Sequence, residues 1–148
     1  MNRRQLIVVL APALVAPVLT RARSKPTYRF GILAPDGDGG YRLEQETTRI
    51  PRRYKATGFR FGVEFTNWDR APLDWHEVIH APKAFTQVTG NAIQASPQVL
   101  RSKTLHTDQA RIADDNWIDE GDPLGRYRLE LFVNDAQVYA IDFDIVAG

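Results

Sequence analysis

Apolar and polar residues alternate with a period of two along much of the chain. In Gly58–Thr66, Phe59, Phe61, Val63 and Phe65 fall on one side, and Arg60, Gly62, Glu64 and Thr66 on the other. In Gly125–Val133, Tyr127, Leu129, Leu131 and Val133 alternate with Arg126, Arg128, Glu130 and Phe132. In Gln137–Val146, Tyr139, Ile141, Phe143 and Ile145 alternate with Val138, Ala140, Asp142 and Asp144. A period of two is that of a strand with one buried face, and antiparallel sheets tolerate water on the other.

Asn134-Asp135 joins the last two strands. Both residues accept positive φ, so a tight hairpin is expected. Thr27–Leu33, Tyr41–Thr48, Leu73–His80 and Gln98–Thr107 are further strand candidates, with a turn at Pro35–Gly40 between the first two. Asp108–Pro123 reads as an acidic connection with a helical turn around Gln109–Asp114. About seven short strands separated by turns predict an all-β, antiparallel, immunoglobulin-like sandwich. It occupies residues 25–148 as one domain.

Residues 1–24 have a different composition. Arg3 and Arg4 precede an apolar run from Gln5 through Leu19, and Ala22-Arg23-Ser24 places small residues ahead of Lys25. This is the layout of a signal peptide, and the run is shorter than the ~20 residues a membrane span needs. Asn2-Arg3-Arg4-Gln5-Leu6-Ile7 also resembles a twin-arginine export signal, so both export routes stay open. The expected destination is the periplasm or beyond, with membrane contact only through this segment before cleavage.

Charge and cysteine narrow the function classes. The whole chain carries 19 basic and 18 acidic residues. The first 24 residues hold four of the cations and no acid, which leaves 15 basic against 18 acidic residues. A mature domain with a net charge of −3 has no electrostatic case for binding nucleic acid through phosphates. Arg49, Arg52, Arg53 and Lys55 form a local basic run that reads as a solvated strand edge. There is no cysteine, so disulfides, thiolate catalysis and cysteine-based metal sites are excluded. Core burial alone must hold the domain.

One motif carries catalytic chemistry. His76-Glu77-Val78-Ile79-His80 matches His-Glu-x-x-His, in which two histidines bind zinc and the glutamate activates a water. That chemistry needs a helix, where residues four apart share one face at roughly 6 Å. Pro72 and Pro82 bracket the segment and disfavour a helix. The competing reading is a strand with Trp75, Glu77 and Ile79 on one side and His76, Val78 and His80 on the other. Asp36-Gly37-Asp38-Gly39 hints at a calcium loop, but the twelfth position is Thr47 where a glutamate is required. Asp114, Asp115, Asp119, Glu120 and Asp122 read as a solvated acidic loop.

Gly58-Phe59-Arg60-Phe61-Gly62-Val63-Glu64-Phe65 precedes His80-Ala81-Pro82. The chain closes with Gly125-x-Tyr127-x-Leu129-x-Leu131 and Phe143-x-Ile145. On these residues it resembles the bacterial family catalogued as domain of unknown function 3859, over roughly residues 27–146. The resemblance implies a β-sandwich in exported proteins and brings no reaction, cofactor or catalytic residue.

The expectation is therefore a non-enzymatic exported module, without cofactor, that binds a protein partner or an envelope glycan. Trp68, Trp75, Trp117 and Phe132 are its candidate binding residues. The alternative is a small zinc-dependent hydrolase with His76 and His80 as ligands and Glu77 as the base.

Overall fold

The computed structural model describes residues 25–148. The expected signal segment, residues 1–24, lies outside the described residues. Eleven strands follow in order: β1 (Tyr28–Pro35), β2 (Tyr41–Glu46), β3 (Arg49–Pro51), β4 (Arg60–Thr66), β5 (Leu73–His80), β6 (Ile93–Ser96), β7 (Val99–Arg101), β8 (Leu105–Thr107), β9 (Arg111–Ala113), β10 (Gly125–Val133) and β11 (Ala136–Val146). They form two sheets. One has the order β2-β1-β4-β9, and the other β3-β11-β10-β5-β7-β6, with β8 also paired to β5. Every pairing is antiparallel except that of β3 with β11.

This is the all-β sandwich read from the sequence, with four more strands than expected. The long strands lie where the alternation places them. The hairpin between β10 and β11 turns on Asn134 (φ 49°) and Asp135 (φ 65°), the double positive φ of a turn that matches strand twist. The turn after β1 is held by Asp36, whose Oδ1 accepts the backbone N–H groups of Asp38 (2.8 Å) and Gly40 (3.1 Å). Two local readings are corrected. Gln109–Asp114 holds strand β9, paired with β4, and not a helical turn. Gln98–Thr107 is divided between β7 and β8, which lie end to end along β5. The short strands β3 and β6 have no alternation of their own and exist by pairing with β11 and β7.

The core lies where the inward faces meet. Phe30 of β1 packs against Phe143 of β11 with ring centroids 4.9 Å apart. Phe65 of β4 meets Trp75 of β5 edge-on at 5.8 Å. Phe61 and Tyr127 close on the same Phe143 at 5.6 and 5.3 Å. All but the Tyr127–Phe143 pair, which lies across neighbouring strands of one sheet, bridge the sheets, and such rings favour offset or edge geometry. Val63, Leu129 and Leu131 complete the buried layer.

Candidate functional site

The motif residues sit on β5, and strand parity divides them. Residues four apart on a strand are separated by roughly 13 Å, so His76 and His80 cannot grip one ion, and Glu77 faces away from both. The alternative with His76 and His80 as zinc ligands and Glu77 as base therefore loses its geometry. Among the described residues, no three histidine, aspartate or glutamate side chains are grouped to hold a metal.

The outward residues of β5 are partnered. His76 lies opposite Phe132 in the β5–β10 register, and the two rings stack flat, 4.7 Å apart with 2° between their planes. Burial lowers the His76 pKa below the usual histidine value, and Arg101 adds to the effect. His80 Nε2 lies 2.6 Å from Glu130 Oε1. The third histidine, His106 on β8, bonds to Asp74 at the near end of β5.

Glu77 and Ile79, on the inward side of β5, line a cavity of about 220 Å³ between the sheets. Glu77 is only 4% exposed. Its strand position is fixed by Ser102, whose hydroxyl accepts the Glu77 backbone N–H at 2.9 Å while the Ser102 N–H bonds to the Glu77 carbonyl at 3.0 Å. From the opposite sheet comes Asp114, 7% exposed. The chain after β9 keeps bonding to β4: the Asp114 N–H reaches the Val63 carbonyl at 2.9 Å, and Asn116 exchanges two bonds with Phe61. This approach is close enough that a Cβ at Gly62 would lie 1.7 Å from the Asp114 carbonyl oxygen. Only glycine fits there, and its absence of a side chain lets Asp114 into the interior.

The two carboxyls are unevenly satisfied. Asn116 Nδ2 donates to Glu77 Oε2 at 3.2 Å. Asp114 Oδ2 is buried and has no hydrogen-bond partner. Burial raises the pKa of Glu77, and burial together with the Glu77 carboxyl raises that of Asp114 well above the usual carboxylate range. Further out, burial raises Asp115, beside which Arg60 Nε lies at 3.8 Å. Asp122 accepts the Asp119 N–H at 2.8 Å and is pushed up by burial to about 6. The acidic stretch expected to be a solvated loop is thus partly folded into the protein. Phe61, Phe85, Tyr127 and Phe143 give the cavity an aromatic wall. Gln87, Asn91, Lys103 and Leu105 line it and are exposed, so it opens to solvent.

The expected binding residues are not brought together. Trp75 is a core residue, 5% exposed, because its inward parity sets it against Phe65; this corrects its reading as a contact residue. Trp68 is 57% exposed in the turn after β4. Trp117 lies near the other end of that strand, where Asn116 bridges to Phe61, and it lines the cavity. Its indole N–H donates to Thr89 Oγ1 at 3.0 Å, and Lys55 Nζ sits 4.0 Å over its ring. Phe132 is on the outer face as expected, covered by His76. Sequence reasoning read Asp114 as part of a solvated loop and did not single out Asn116. The available signal was the inward parity of Glu77, a carboxyl between Trp75 and Ile79 on a core-facing side.

A family model described as PM0630 beta sandwich domain matches residues 28–146. The match supports the expected β-sandwich domain and does not itself name domain of unknown function 3859. The chain is similar to the crystal structure of an immunoglobulin-like protein from Pseudomonas aeruginosa, at 16% identity, covering 84% of this chain and 99% of that one with a TM-score of 0.49. Comparison with the curated proteins gives no match.

Proposed function

The chain belongs to the PM0630 beta sandwich domain family, and from this premise we propose that it is an exported, non-enzymatic binding module. Its site is the cavity between the sheets, which seats a polar group of a partner in the cell envelope. The observation that carries this reading is the cavity floor. Two buried carboxyls converge there from opposite sheets, and one of them has an oxygen with no partner. A buried polar atom without a partner costs free energy, and a ligand donor relieves that cost. Apolar walls with a few convergent polar groups are the usual make-up of a small-ligand site. Export rests on the composition of residues 1–24.

The zinc-hydrolase alternative has no comparable support. Its histidines are engaged separately on the outer face, with Phe132 and with Glu130.

Capture of envelope components by the immobilised, folded domain tests the proposal. Ala92→Trp places an indole in the cavity lining and is expected to abolish capture. Trp68→Ala alters an exposed side chain beyond the far end of β4 and is expected to leave capture intact. Capture that survives Ala92→Trp, or is lost with Trp68→Ala, contradicts the assignment.

A further inference from the structure

We propose that the occupant of this cavity is a primary ammonium group on an unbranched apolar stem, as in a lysyl side chain, seated on Glu77 and Asp114. The inference rests on the reading of the cavity as the binding site and adds the chemistry of what enters it.

The first argument is a shortage of donors. Glu77 has one side-chain donor, Asn116 Nδ2, and Asp114 Oδ2 has none. A carboxylate is an acceptor only. Burial and the neighbouring Glu77 carboxyl raise the Asp114 pKa, so a second negative charge on the pair is disfavoured where no donor reaches it. An ammonium offers three donors and a positive charge.

The second argument is charge. Asp115, Asp119 and Asp122 line the same cavity, against Arg101 and Lys103 as the lining cations. Among the described residues neither of those cations forms an ion pair or hydrogen bond with Glu77 or Asp114. Arg60 and Lys55 lie over the ring of Trp117, and Arg60 Nε faces Asp115. The carboxyl pair thus has no internal counter-ion.

The third argument is shape. Phe61, Ile79, Phe85, Phe143 and Ile145 are the apolar part of the lining and suit methylene groups. Aromatic faces also attract a cation.

The test is calorimetric titration of the folded domain with n-butylammonium, tetramethylammonium, n-butanol, N-acetyl-lysine amide and glucosamine. n-Butylammonium and N-acetyl-lysine amide are expected to bind, and n-butanol is not. Tetramethylammonium, which has charge but no N–H donor, is expected to bind more weakly than n-butylammonium. Asp114→Asn and Glu77→Gln, each checked for an unchanged fold by circular dichroism, are expected to weaken n-butylammonium roughly tenfold or more, the size of a lost charged hydrogen bond. Binding is also expected to release a proton, read as a dependence of the heat on buffer ionisation. The charged or titratable groups that line the cavity with the pair are Arg101 and Lys103 from β7 and the segment after it, Asp115, Asp119 and Asp122 from the loop before β10, and Tyr127 from β10, with Arg60 of β4 beside Asp115.

Equal binding of n-butanol or tetramethylammonium overturns the proposal, as does tighter binding of glucosamine than of N-acetyl-lysine amide, or full affinity in both variants. If envelope capture requires the cavity but n-butylammonium neither binds nor competes, the ammonium assignment fails and the binding role stands. If capture ignores the Ala92→Trp block, the binding role itself fails.

Discussion

The two faces of strand β5 answer the same chemical problem in opposite ways. Outward, His76 and His80 are polar groups with partners: an aromatic ring flat against one and a carboxylate on the other. Inward, Glu77 and Asp114 share a cavity with too few donors. Neighbouring residues of one short motif thus belong to different environments. The motif carries no joint chemistry because period-two geometry turns its members apart. What looked like a catalytic unit divides into a stabilised surface and an incomplete interior. The incomplete part is where function is expected, since stability is commonly given up at binding sites.

Substitutions can break this contrast, and the largest effect belongs inside. Gly62→Ala drives a Cβ into the Asp114 carbonyl oxygen. Overpacking against backbone is expected to cost about 3 kcal/mol or more. A thermal melt should show a loss of about 10 °C or no cooperative transition at all.

Asp114→Asn should act through pH. A carboxyl whose folded pKa is raised holds its proton more tightly in the folded state. Its stabilising contribution is therefore fully present below the unfolded value and is lost as pH rises through the folded one. Urea melts of the native chain should accordingly lose a contribution from Asp114 as pH rises above about 4, and Asp114→Asn should remove that loss. The gain at pH 8 is expected at about 1–3 kcal/mol, the cost of a partnerless buried polar group. An unchanged pH profile would show that the pair is already satisfied.

The outer face should respond with the opposite sign. The pKa of His76 is lowered by its burial, so the neutral ring is favoured in the fold. Its contribution is present above the unfolded histidine value and is lost as pH falls through it toward the folded one. Phe132→Ala, which uncovers His76, is expected to cost about 1 kcal/mol near pH 8 and to shrink this acid-side loss in melts between pH 5 and pH 8. His80→Ala is expected to cost less than about 1 kcal/mol, because its pair with Glu130 is partly solvated. A large loss of stability on metal chelation would contradict both readings of the histidines.

The sequence made one of these faces far more legible than the other. Alternation identified β4, β10 and β11 because each is long enough to repeat its pattern, and Asn134-Asp135 announced its own turn. Strand parity also set Glu77 on the same side as Trp75 and Ile79. Strands β3, β6 and β9 are three or four residues long and have no repeat to read. Their pairing depends on partners distant in the chain. Asp114 looked solvated because its neighbours are acidic, and its burial follows from backbone bonds to β4 beside Gly62, a tertiary event. Trp75 shows the same limit from the other side. Large aromatics suit a binding face or a core, and parity decides between them.

A carbon-13 NMR titration of the Glu77 and Asp114 side-chain carboxyls, with and without n-butylammonium, tests the account most directly. The free protein should show Asp114 holding its proton well above the usual carboxylate range, and the ligand should drive that proton off at a lower pH. Two carboxyls titrating in the ordinary range, indifferent to the ligand, would contradict it.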